Sequence, residues 1–67
     1  MDVSHVRQRV QAIADAAPDF EVQHSREDDL FADVLAAIGR TSTDPHARAL
    51  AGAALKAREI TFERACA

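Results

Sequence analysis

The chain has 67 residues, a formal net charge of −3 and 48% hydrophobic residues. That length is one domain near the lower size limit for folding alone. The acidic balance argues against a nucleic-acid or anionic-membrane surface, and with no apolar run of about 18 residues, no transmembrane helix is expected.

The large apolar residues are five Val, three Ile, four Leu and three Phe, so the core they can build is small and a partner or second copy would help stability. Fifteen alanines make up most of the remaining apolar content and favour helix while burying little area. With two Gly, two Pro and no Trp or Tyr, strand and turn signals are scarce. The reading is all-α: a compact three-helix domain with a short C-terminal helical turn, as a single domain over residues 1–67.

The first helix is predicted over residues 3–17. Val3, Val6, Val10, Ile13 and Ala17 follow spacings of three and four along one narrow seam. Pro18 ends it, because the residue before a proline is pushed out of the α region. Residues 18–24 read as a loop in which Phe20 and Val22 tuck under the helices.

The second helix is predicted over about residues 26–38. Ser25 with Asp28 has the spacing of a capping box, and Glu27, Asp28 and Asp29 place negative charge in the first turn. Leu30, Phe31, Val34, Leu35 and Ile38 follow at core-facing spacing. Gly39 is expected at the left-handed position after the helix. The outer strip is Asp29, Asp33 and Ala36.

Residues 40–44 read as a polar turn, and Asp44 followed by Pro45 is an N-cap and N1 pair opening a third helix to about Arg58. Leu50 and Leu55 lie five apart, about 140° round that helix, so they do not share a stripe. Arg48, Gly52 and Lys56 mark its solvent side. The tail is expected to re-start at Thr61, returning Ile60 and Phe62 to the core. The expected core is Val6, Val10, Ile13, Phe20, Leu30, Phe31, Val34, Leu35, Ile38, Leu50, Leu55, Ile60 and Phe62.

Candidate chemistry is sparse. His24, Glu27, Asp28 and Asp29 cluster in sequence, but zinc sites draw on Cys or more than one His, so these residues read as a helix-end arrangement and no metal or cofactor is expected. Carboxylates on an exposed first turn do not separate their proton affinities usefully for acid–base work, so no enzyme is expected. Cys66 is the single cysteine, which excludes an intrachain disulfide and fits a reducing cytoplasm.

Charge is unevenly placed. Asp19, Glu21, Glu27, Asp28, Asp29 and Asp33 face one base, Arg26, whereas from residue 40 onward Arg40, Arg48, Lys56, Arg58 and Arg64 outnumber Asp44, Glu59 and Glu63. An acidic patch of that kind steers a basic partner surface. The leading function is therefore a non-catalytic protein-interaction module whose contact surface is either the acidic strip of Glu27, Asp29 and Asp33 or the basic strip of Arg48 and Lys56. One alternative is a helix-turn-helix-like DNA-binding regulator using His46, Arg48, Lys56 and Arg58, although its reading positions hold Pro45, Ala47 and Ala49. The other is a structural homodimer with Val3, Val6 and Val10 at the seam.

The segments His24-Ser25-Arg26-Glu27-Asp28-Asp29-Leu30, Asp33-Val34-Leu35-Ala36-Ala37-Ile38, Ala54-Leu55-Lys56 and Ile60-Thr61-Phe62-Glu63-Arg64 resemble a group of small bacterial and phage- or prophage-borne proteins. The shared pattern is HSxEDxLxxDVLxAI … ALKxxxIxFxRxCA, covering roughly residues 24–67. Ala65 stands where that group carries a tryptophan. The resemblance implies a bacterial cytoplasm and a mobile element, with an inhibitor or accessory factor binding a host protein as the fitting role. It carries no activity and no site residue.

Overall fold

Asp2 starts the first helix in the computed structural model, which describes residues 1–60. Its backbone is extended and its carboxylate accepts the His5 N–H at 2.8 Å, satisfying one of the donors a helix N-terminus leaves unpaired. The helix, α1, runs Val3–Asp15, ending ahead of Pro18 and two residues earlier than the expected Ala17. Two further helices follow, α2 over Phe20–Thr41 and α3 over Pro45–Leu55, then a 3-10 turn, η1, over Lys56–Glu59. The fold is all-α: among the described residues there is no strand, and three helices are followed in sequence by a short helical turn.

The second helix differs from its sequence reading at both ends. It begins at Phe20, so residues 20–24 are its first turns and no loop. Asp19 accepts the Val22 N–H at 3.1 Å and caps the start six residues earlier than Ser25 would. The acid at Asp19, directly after Pro18, is as competent a cap as Ser25, and the longer helix brings Gln23 and Arg26 within reach of α1. Gly39 lies inside α2 with no positive φ, and the helix continues to Thr41. An interior glycine costs about 1 kcal/mol relative to alanine, too little to break a helix that packing supports. The helix ends at Thr41, and three residues on Pro45 holds Asp44 in extended backbone (φ −89°, ψ 111°). Asp44 then caps α3 through the His46 N–H at 2.9 Å. That helix closes at Leu55, three residues before Arg58, and the chain tightens into η1.

The chain divides into two compact units, the first comprising Met1–Phe31 and the second starting at Ala32. In the first, the end of α1 is tied to α2. Gln23 donates its side-chain amide to the Ile13 carbonyl at 3.0 Å, and Arg26 donates Nη1 to the Ala12 carbonyl at 2.8 Å. Both acceptors belong to the last turn of α1, where carbonyls have acceptor capacity left over and the dipole favours a cation; the Ile13 carbonyl also accepts the Ala16 N–H at 3.2 Å. In the second unit Arg48 does the same for α2, donating Nε to the Gly39 carbonyl at 3.2 Å. The ends of α1 and α2 are thus each closed by an arginine from the helix that follows.

Burial is narrower than the periodicity suggests. Leu30 and Ala51, each 3% exposed, are the buried hydrophobics among the described residues. Val6, Ile13, Val34, Leu35 and Leu55 are half-buried. Val10, Phe20, Phe31, Ile38, Leu50 and Ile60 were expected in the core and are exposed instead. A helix in contact along one narrow line buries a single column of side chains, and residues 100° away stay outside it. Ala36, expected on the outer strip, is half-buried. The expected re-start at Thr61 and the positions Phe62, Glu63, Arg64, Ala65 and Cys66 lie outside the described residues.

Candidate interaction surface

Glu27, Asp29 and Asp33 all fall on α2 and all are exposed. They do not form one strip. At 100° per residue Glu27 and Asp29 are 200° apart, on opposite sides of the helix, whereas Asp29 and Asp33 stand one turn apart on the same side.

Within the first unit the two sides of α2 border different surface depressions. One is lined by Arg9, Ala12, Arg26 and Asp29, where two guanidinium side chains lie beside a single carboxylate and offset its charge. The other is lined by the apolar Ile13 and Phe20 together with the polar Gln23, His24 and Glu27. Separating Glu27 from Asp29 in this way dilutes the acidic patch that the sequence suggests.

The basic strip is exposed, but its members are occupied. Arg48 closes the end of α2, and Lys56 pairs with Glu59 at 3.5 Å three residues on. A pair this exposed adds little stability. Lys56 and Arg58 sit on η1, beyond the helix a DNA-reading arrangement would use, which leaves α3 with His46 and Arg48 as its basic and imidazole side chains. Among the described residues no group of three His, Cys, Asp or Glu could hold a metal ion, and no helix is long and apolar enough to cross a membrane.

The feature that the sequence reading missed is apolar. Phe20 is 61% exposed and Phe31 57% exposed, and they are eleven residues apart on one helix. Eleven steps of 100° leave them within about 20° of each other, so both point from the same face. His24 and Glu27 complete that face at spacings of four and three, and both are exposed. The 20–24–27–31 series is visible in the sequence once α2 is started at Phe20, and invisible while residues 18–24 are read as a loop. No family model matches the chain, and neither the curated proteins nor the solved structures contain a significant match.

Proposed function

We propose that this chain is a non-catalytic protein-interaction module that acts by presenting helical faces to another protein. The observation that carries the reading is the exposure of its large apolar side chains: Val3, Val10, Phe20, Phe31, Leu50 and Ile60 are each more than half exposed. A single exposed apolar residue is ordinary, but this many on so short a chain leave much of its apolar surface unused by its own core. Exposed aromatic side chains are also the type that anchors protein interfaces. Asp29 and Asp33, one turn apart on α2, would steer a basic partner toward it. A bacterial cytoplasmic setting, and a role as a mobile-element factor acting on a host protein, rest on the resemblance of residues 24–67 and on nothing else.

The test is affinity capture from the native cell, with partners identified by mass spectrometry and binding then rebuilt from purified components. The expected result is a host protein that binds the purified chain and is lost when Asp29 and Asp33 are both changed to Lys. Unchanged capture by that double variant removes the acidic strip from the interface. Failure of every captured protein to bind the purified chain removes the reading altogether.

A further inference from the structure

The exposed face of α2 in the first unit has a pattern that matches itself. Read forward it is Phe20, His24, Glu27, Phe31, with spacings of four, three and four. That is the a/d spacing of a helix seam, in which side chains of one helix fill the spaces on another. In an antiparallel pair each a position meets a d position. Reversing the face on itself about its midpoint brings Phe20 opposite Phe31 and His24 opposite Glu27.

We propose that this face is the contact between two copies of this chain, packed antiparallel along α2. The proposal rests on the reading of the chain as an interaction module and names the partner for one of its faces. Two aromatic layers, Phe20 against the partner's Phe31 and the reverse, would flank two polar layers. In each polar layer an imidazole N–H of His24 donates to the Glu27 carboxylate of the second copy. Such a contact has two-fold symmetry, since residue i meets j and j meets i, and it closes after two chains.

Two observations favour a second copy over other occupants, and a further one sets its direction. Donor and acceptor in the polar layers come from the same chain in equal number, so two copies satisfy each other with nothing left over. The parallel alternative would set His24 against His24 and Glu27 against Glu27, a like-with-like arrangement. Finally, the depression lined by Ile13, Phe20, Gln23, His24 and Glu27 lies beside Phe20, at the level where the second copy's Phe31 would enter. Four residues a side make a small interface, so the association is weak and transient in class.

Sedimentation equilibrium on the 67-residue chain, up to about millimolar concentration, provides the test. The wild-type chain is expected to dimerise reversibly. His24→Glu and Glu27→Lys, taken singly, should each weaken the dimer at least about tenfold, because the first sets carboxylate against carboxylate and the second leaves the His24 N–H without its carboxylate acceptor. The double variant His24→Glu/Glu27→Lys should restore it, since the pair is complementary again with its polarity reversed.

Circular dichroism on each variant separates lost association from lost folding. Orientation is read by disulfide cross-linking in a Cys66→Ser background. A mixture of Phe20→Cys and Phe31→Cys chains should cross-link to each other, and neither should cross-link with itself, because like positions would be about 16 Å apart along the helix. A wild-type chain that stays monomeric, folded single variants that dimerise like wild type, or self-cross-linking of either cysteine variant each overturns the proposal. Binding of a host protein by a chain that stays monomeric would leave the broader interaction reading standing, so the two failures are distinguishable.

Discussion

The side-chain amide of Gln23 donates to the backbone carbonyl of Ile13 at 3.0 Å, ten residues back along the chain. Three residues on, Arg26 reaches the Ala12 carbonyl at 2.8 Å. Together they close the end of α1 from the side of α2. Gln23→Ala is expected to destabilise the first unit by about 1 kcal/mol, the net worth of one partly buried hydrogen bond. Arg26→Ala should cost a similar amount, about 1 kcal/mol, because the gain from its charge is reduced by solvent exposure. Urea unfolding followed by circular dichroism checks both, with Arg26→Lys expected to recover part of the loss through the helix dipole.

The position of the true N-cap of α2 separates two substitutions that look alike on paper. Asp19→Ala removes the acceptor of the Val22 N–H and should cost about 1 kcal/mol of stability together with some helical content. Ser25→Ala, on an exposed helix interior, should instead gain a few tenths of a kcal/mol, roughly the propensity difference between the two residues. If Ser25 capped the helix, Ser25→Ala would carry the loss and Asp19→Ala would be close to neutral. Thermal unfolding of the two variants side by side decides the matter.

Gly39 gives a second test of the same boundary. Its backbone lies within α2, no glycine in the described chain has a positive φ, and a Cβ placed on it meets nothing within 4 Å. Gly39→Ala is therefore expected to stabilise by up to about 1 kcal/mol, through helix propensity and reduced freedom of the unfolded chain. A glycine ending the helix in left-handed backbone would respond with a loss of at least that size. A rise in melting temperature is the expected reading.

Leu30 and Leu50 test the narrowness of the core. Leu30→Ala should cost about 2–5 kcal/mol, as for a buried leucine whose cavity does not fully collapse. In so short a chain that is enough to unfold much of the population at room temperature. Leu50, 58% exposed, should tolerate the same change within about 0.5 kcal/mol. Denaturant midpoints for the pair measure the difference directly.

Much of the candidate surface was hidden by one boundary. The acids at Glu27, Asp29 and Asp33 stand out by composition, yet the helix turns Glu27 away from the other two. Phe20 looks like a loop anchor while Ser25 is taken as the cap, so the seam it shares with His24, Glu27 and Phe31 does not register. Arg48 reads as a free cation until its Nε is found on the Gly39 carbonyl. The first follows from helix spacing and the second from where the helix starts, whereas the third needs the partner in space, which no spacing rule supplies.

The sequence by itself determined the all-helical class, the start of α1 at Val3 and the start of α3 at Pro45. Those features follow from signals acting over a few residues: alanine content, a three-and-four apolar spacing, an Asp cap and a proline. The tertiary structure decided where α2 begins and ends, and which apolar side chains are covered. Asp19 and Ser25 are both adequate caps, and the longer helix is the one that places Gln23 and Arg26 against carbonyls ten and fourteen residues earlier. Leu30 and Phe31 are adjacent and equally apolar, but they stand 100° apart on the helix, and the narrow contact covers Leu30 alone of the two.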